Sequence, residues 1–220
     1  MKVLVVAAHP DDELLGVGGT IASHVAKGDQ VRVVVMCEGF SSRYNPDWDG
    51  EVRKQANEAA RILGVTDLVL GNLPDQRLET LLLCDVAKKI GQLIEESQPE
   101  LVYTHFGGDI NRDHRILTEA VLVAVRPYSA PSVKEILMFE TPSSTEWGSP
   151  PLTTSFQPNV YVDISEFLER KINAFSCYSA EVRESPHPRS LQALADRARY
   201  WGSVINRRSA EAFVLVRSTR

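Results

Sequence analysis

Four residues capable of metal or acid–base chemistry stand close together near the start of the chain: His9, Asp11, Asp12 and Glu13. Carboxylates crowded in this way repel and raise one another's pKa, and a divalent cation removes that cost. His9 and Asp12 are ligand types that suit Zn²⁺, which leaves Asp11 free beside the metal. A free carboxylate there can accept a proton from a water whose pKa the metal has lowered toward ~7. The cluster therefore predicts a hydrolase with Asp11 as its catalytic base.

Helix capping is the simpler interpretation of these acids. Carboxylates are favourable at the amino end of a helix, where backbone N–H groups and the helix dipole meet them. Capping explains only one of the acids, however, and does not explain why His9 and the other two carboxylates are present. We therefore favour the metal site.

A second polar cluster runs from His105 to His114, directly after a buried strand predicted at 100–104. His114 is the third protein ligand that a catalytic zinc site needs, with the fourth position left for water. Asp113 or Asp109 can orient an imidazole from behind the ligands. Capping of the helix predicted from residue 113 to 125 is an equally good interpretation of Asp113.

Alternating strand and helix patterns in the first hundred residues predict how the clusters are positioned. They favour a parallel sheet with helices on both faces and right-handed crossovers, so that all strand ends open on one edge. The two clusters are expected to meet at that edge. We predict an α/β fold, a single Rossmann-like domain over residues 1–220 with three α/β/α layers and a mostly parallel sheet. The glycines of 16–19 predict a tight turn into a helix over 18–26.

Other polar segments are candidates for substrate binding. Arg43 and Trp48 lie in a long polar loop at 40–50, although idle surface loops have a similar composition. Arg53 begins the next predicted helix and can aim at a substrate anion or carbonyl. The proline-rich segment 127–158 predicts a cover over the site. His187 stands between two prolines, which favours a rigid catalytic role over the alternative of a simple turn.

The composition limits the class of protein. With 43% hydrophobic and 24% charged residues the chain is typical of globular proteins, and its net charge of −5 argues against nucleic-acid binding. Three widely spaced cysteines predict reduced thiols in the cytoplasm. No apolar stretch approaches the ~18 residues of a membrane span. Homo-oligomerisation is left open.

The stretch from Ala8 to Glu13, with Gly18 and Gly19, resembles the signature of the PIG-L (LmbE-like) family of zinc-dependent N-acetylglucosaminyl deacetylases. The resemblance continues through Gly64 and the segments 101–105, 109–115 and 187–190, and so covers nearly the whole chain. It implies a hydrolase that removes an acetyl group from an N-acetylated amino sugar or sugar conjugate, with one Zn²⁺ per chain. Imidazole and carboxylate ligands accept Fe²⁺ as well.

The chain departs from a common form of the family at two positions. Asn111 stands where that form has a histidine that helps to polarise the substrate carbonyl, and asparagine can donate a hydrogen bond but is not an acid. Gln55 stands where the family often has a glutamate. His187 or Arg53 is then expected to stabilise the oxyanion, and Asn111 to contact the substrate.

Two other functions are kept as alternatives. Some proteins that resemble this family add water to unsaturated carboxylic acids. Because Asn111 replaces a histidine of the common family form, the resemblance argues less strongly for deacetylation. A metal-free sugar- or nucleotide-binding module is the second alternative, because the glycines of 16–19 weakly resemble a phosphate cradle. The presence of His9, Asp11, Asp12 and His114 together argues against that module.

Overall fold

The computed structural model describes residues 1–39, 49–148 and 153–219. Its helices are α1 (Asp12–Ala26), α2 (Asp49–Leu63), α3 (Leu83–Ser97), α4 (Arg112–Ala124), α5 (Leu168–Phe175) and α6 (Leu191–Val204). Its strands are β1 (Lys2–Ala7), β2 (Gln30–Cys37), β3 (Asp67–Leu73), β4 (Leu101–His105), β5 (Glu135–Phe139), β6 (Val160–Asp163) and β7 (Ala210–Ser218).

These strands form one sheet in the order β3-β2-β1-β4-β5-β7-β6. The five strands from β3 to β5 pair in parallel, whereas β7 is antiparallel to both of its neighbours. Parallel pairing follows from the helices that connect the strands, because each crossover returns the chain to the same edge. The predicted α/β fold with a mostly parallel sheet is confirmed.

The core consists of two apolar layers, one on each face of the sheet. Alternate side chains of β1 point to opposite faces, so that Val3 and Val5 pack in one layer and Leu4 and Val6 in the other. The first layer includes apolar residues of α1, α2, α5 and α6, and the second those of α3 and α4. The sheet is therefore covered on both faces, as the apolar runs in its central strands require.

The start of α1 differs from the prediction, because the helix begins at Asp12 and includes all the glycines of 16–19. Asp11 makes the turn, with φ of 117°, a value that side-chain-bearing residues rarely adopt. The glycines instead allow close packing. A Cβ on Gly16 would lie 2.2 Å from the Phe139 ring, and one on Gly19 would lie 2.7 Å from Ile164.

The cysteines and the lengths of the helices were the other features for which the sequence allowed an expectation. Cys37, Cys84 and Cys177 form no disulfide, as predicted. Among the described residues, no helix is both long and apolar enough to cross a membrane.

Candidate functional site

The structure brings the two polar clusters together at the carboxyl ends of β1 and β4, which are neighbours in the sheet. His9 follows β1, Asp12 begins α1, and His114 lies in the first turn of α4. From β1 the chain turns to β2 on one side, while β4 lies on the other. Such a switch point is where open α/β sheets bind their ligands.

Three potential ligand atoms form a nearly equilateral triangle there. Asp12 Oδ2 lies 3.2 Å from His9 Nδ1 and 3.2 Å from His114 Nε2, and the two nitrogens are 3.3 Å apart. Tetrahedral ligands at the usual zinc distances of about 2.0–2.1 Å stand about 3.4 Å from one another. The triangle therefore fits a divalent cation in atom type and in spacing.

The electrostatics of the triangle also favour a cation. Burial alone would lower the pKa of His114, but the carboxylates of Asp12 and Asp109 raise it to about 9. Burial likewise opposes a charge on His9, yet hydrogen bonds to Asp113 and Asp12 raise its pKa well above the usual value. Protons on these imidazoles balance the buried acids, and a bound divalent cation would replace them.

Asp113 and Asp109 lie behind the two imidazoles. Asp113 Oδ2 is 3.0 Å from His9 Nε2, and its Oδ1 accepts the N–H of Leu78. Asp109 Oδ2 is 3.1 Å from His114 Nδ1, close enough for an ion pair. A carboxylate behind each imidazole sets the orientation of the ring and the position of its proton.

A second group with metal-ligand spacing shares His9 and consists of His9, Cys37 and Asp113. Burial raises the pKa of the Cys37 thiol, so an ion bound there would have to displace a proton from it. Since Asp113 already faces Nε2 of His9, the group of His9, Asp12 and His114 is the better candidate.

His105 belongs to the site, although sequence reasoning did not single it out as a functional residue. Its ring stacks on that of His114, with centroids 3.9 Å apart, and its Nε2 accepts the N–H of Ala8. Nδ1 therefore carries the proton and donates to Thr141 Oγ1. Burial and the neighbouring His114 lower the pKa of His105 to about 3, so the ring is neutral. Its place at the end of a fully buried strand was the available signal.

Asp11 is buried next to the triangle, with 4% of its surface exposed. Its backbone N–H donates to Glu13 Oε2, and Glu13 Oε1 accepts the hydroxyl of Tyr178. Burial raises the pKa of Asp11, as do the carboxylates of Asp12 and Glu181. Burial also raises the pKa of Glu13, to about 7. Glu13 thus supports the unusual backbone of Asp11, a contribution that sequence reasoning missed.

A cavity of about 460 Å³ opens over the cluster. Asp11, Asn111 and residues 141–144 and 147 line it. Part of the predicted cover segment therefore does border the cavity. Trp147 is 52% exposed, and its ring is available at the cavity wall.

The structure does not bring every predicted residue to the cavity. Arg53 and His187 are not among the described residues that line it. Arg53 Nη2 lies 3.5 Å from the carbonyl of Gly71, and the His187 ring packs edge-on against Trp147 at 5.8 Å. Arg189, two residues beyond His187, lines the cavity instead. The predicted Arg43 and Trp48 lie outside the described residues.

The chain is similar to known proteins in both sequence and fold. The chain is 31% identical over 171 residues to the uncharacterized deacetylase YaiS of Escherichia coli (strain K12), covering 74% of this chain and 82% of that protein. It is 27% identical over 229 residues to the diacetylchitobiose deacetylase of Thermococcus kodakarensis, covering 98% and 83%. The crystal structure of the conserved protein TT1542 from Thermus thermophilus superposes with a TM-score of 0.81 at 26% identity, covering 99% and 96%.

The family model described as PIG-L, GlcNAc-PI de-N-acetylase, matches residues 4–125. That range begins within β1 and includes β2 to β4, α1 to α4 and all three residues of the triangle. It spans more than half of the chain, and the chain therefore belongs to the PIG-L family.

Proposed function

We propose that this chain is a divalent-metal-dependent N-deacetylase, which removes the acetyl group from an N-acetylated amino sugar or sugar conjugate. One observation carries the proposal: the buried carboxylate of Asp11 lines the cavity beside a cluster of three metal-ligand residues. Two relatives are deacetylases by name, and one of them is named for diacetylchitobiose. The substrate class follows from those relatives, and the hydrolytic chemistry follows from the residues of the site.

His9, Asp12 and His114 are the residues that would hold the metal, one ion per chain. Zn²⁺ is the ion we propose, and Fe²⁺ suits the same donors. When bound, the ion supplies Lewis-acid chemistry, because it lowers the pKa of water and polarises an amide carbonyl. Asp113 and Asp109 would orient His9 and His114, since each carboxylate lies about one hydrogen-bond length from its imidazole.

Asp11 accepts a proton from the attacking water in this proposal and then returns it to the departing amine. Asn111 stabilises the negative charge that develops on the acetyl oxygen. Its Oδ1 accepts the N–H of Asp113 as a helix cap, so the NH₂ group is the part that can donate to a substrate. We assign this role to Asn111 rather than to His187 or Arg53 because only Asn111 is among the described residues that line the cavity.

The exposed ring of Trp147 suits the apolar face of a sugar, and we propose it as a substrate contact alongside Asn111. Three unpaired cysteines support a cytoplasmic location for the enzyme.

The test is acetate release from a panel of N-acetylated sugars, among them N-acetylglucosamine and diacetylchitobiose, by the zinc-loaded protein. Asp11→Asn should lower kcat by about 100- to 10,000-fold, because it removes the proton acceptor. Its metal content, measured by elemental mass spectrometry, should stay at that of the wild type.

Asp196→Asn is the matched control, because this exposed carboxylate on α6 pairs with Arg199 and lies away from the cavity. Full activity of Asp11→Asn would remove Asp11 from the mechanism. If no sugar releases acetate but the protein bleaches the ultraviolet absorbance of a conjugated unsaturated acid, the hydratase alternative replaces the deacetylase.

A further inference from the structure

We infer that Arg189 is a positioning residue for Asp11, holding the carboxylate of the catalytic base in the orientation that accepts a proton. The inference rests on the proposed function, because it assigns Asp11 that role. Arg189 Nη1 lies 3.2 Å from Asp11 Oδ2 and 2.5 Å from Glu181 Oε2. The guanidinium thus bridges two carboxylates at the cavity wall.

The charges around Asp11 show why a cation is needed there. Asp12 and Glu13 follow it directly in the chain, and Glu181 lines the same cavity. Like charges repel strongly where water is excluded, so these acids push the carboxylate group of Asp11 away from them. Arg189 is the ion-pair partner that the described residues provide for Asp11, and it offsets that repulsion.

The local backbone holds Arg189 in place. Its N–H donates to His187 Nδ1, and its carbonyl accepts the N–H of Arg183. The next residue, Ser190, caps α6 by accepting the N–H of Ala193. The rigid segment around His187 therefore presents Arg189 to the cavity, whereas the His187 ring turns toward Trp147.

The Nε donor of the guanidinium points to the same conclusion. Nε of Arg189 is buried and has no hydrogen-bond partner among the described residues. A buried donor without a partner costs stability, and such a cost is retained where a group serves function. Arg189 is thus placed to contact Asp11 and Glu181 through Nη1 rather than to satisfy all of its donors.

This contact gives the two carboxylate oxygens of Asp11 different roles. Oδ2 faces Arg189, which leaves Oδ1 to accept the proton from water. Without Arg189, repulsion from Glu181 and Asp12 would turn the carboxylate. Misplacement of a catalytic group by about 1 Å can cost about 100-fold in rate.

The experiment compares Arg189→Ala, Arg189→Lys and the control Arg183→Ala by steady-state acetate release. Arg183 also lies near Glu181, at 3.9 Å, but is not among the described residues that line the cavity. We expect Arg189→Ala to lower kcat by about 100-fold with KM changed less than about threefold. Arg189→Lys should recover part of the loss, since it restores the charge. Arg183→Ala should stay within about twofold of the wild type.

A double-mutant cycle separates positioning from a merely structural role. If Arg189 acts through Asp11, the double variant Asp11→Asn, Arg189→Ala should be no slower than Asp11→Asn alone. Millimolar guanidinium should rescue Arg189→Ala and leave the double variant unchanged. Urea unfolding of the wild type, the two single variants and the double variant gives the coupling free energy between Asp11 and Arg189. This measurement does not depend on any assay of activity.

The possible failures are distinct. Losses in kcat that multiply in the double variant would overturn the inference, as would a loss confined to KM, which would make Arg189 a substrate-binding residue. An active Arg189→Ala variant overturns the role of Arg189 alone. The proposed function is overturned if urea unfolding shows a coupling free energy between Asp11 and Arg189 but the folded wild type releases no acetate.

Discussion

Lys171 Nζ lies 2.6 Å from Glu211 Oε1, and this buried ion pair contacts the backbone in the middle of α1. Nζ donates to the carbonyl of Leu15, while Glu211 accepts the N–H groups of Gly19 and Thr20. Side chains inserted beside a helix backbone in this way bend or fix it. The pair therefore joins α5 and β7 to α1, the helix whose first residue, Asp12, is part of the triangle.

Lys171→Met should lower the free energy of unfolding by about 3–5 kcal/mol, because it leaves the Glu211 carboxylate buried without its cation. Urea denaturation followed by circular dichroism measures the loss. Lys134→Met is the matched control: Lys134 pairs with Glu100 at 3.5 Å on the surface, where such pairs contribute about 1 kcal/mol or less. Equal losses in the two variants would contradict the role assigned to the buried pair.

Two helix glycines should respond in opposite ways to alanine. A Cβ on Gly16 in α1 would lie 2.2 Å from Phe139 and 2.6 Å from the carbonyl oxygen of Glu140, so Gly16→Ala should destabilise the protein. A Cβ on Gly91 in α3 would meet nothing within 4 Å. Gly91→Ala should therefore stabilise by about 0.5–1 kcal/mol, the usual difference in helix propensity. Thermal unfolding of both variants checks the prediction, and a stable Gly16→Ala variant would refute the packing argument.

The meeting of His9 with His114 was predictable, because it depends on local patterns. Apolar runs separated by helical segments favour a parallel sheet, and a parallel sheet places all its strand ends on one edge. Polar residues that follow two strands then converge. The ligand types themselves, imidazole and carboxylate, are read directly from the chain.

The parts of the site that depend on distant contacts were not predictable. The glycines of α1 follow a strand and resemble a turn, and only the contact between Gly16 and Phe139 reveals their packing role. His187 between two prolines suggested a catalytic group, yet the direction of its ring depends on Trp147. Arg189 reaches Asp11 across 178 positions of sequence, and no local pattern encodes such a contact.

His24 should make stability depend on pH. Burial lowers the pKa of His24, whose Nε2 lies 3.0 Å from the hydroxyl of Tyr103 and whose Nδ1 lies 2.7 Å from Asp29. Below the ordinary histidine pKa of about 6.5 the unfolded chain binds a proton more readily than the folded one, so stability falls as the pH falls. The decline attributable to this one group is at most about 1.4 kcal/mol per pH unit.

His24→Gln removes the titrating group, so its urea midpoint should fall less than that of the wild type between pH 7 and pH 5. Comparing the two proteins at each pH cancels the other titrating groups. A parallel decline in both would show that His24 is not linked to folding.

His114→Ala should abolish stoichiometric metal binding. His114 is one of three ligands in the triangle and lies opposite His9 across a 3.3 Å gap, so its loss leaves an imidazole and a carboxylate. Two ligands hold a divalent ion far more weakly than three, and the buried acids would then retain protons instead. Elemental mass spectrometry of protein incubated with Zn²⁺ and desalted should give about one ion per wild-type chain and close to none for the variant.

His24→Ala is the control for this measurement, because it removes an imidazole on α1 outside the triangle and should keep the ion. A His114→Ala variant that keeps one ion would place the metal elsewhere, and the second group of His9, Cys37 and Asp113 would be the next candidate. The ligands would then be distinguished with Cd²⁺, since a thiolate ligand adds an ultraviolet charge-transfer band that imidazole and carboxylate ligands do not. The triangle predicts that this band is absent from the wild-type protein, because none of its three ligands is a cysteine.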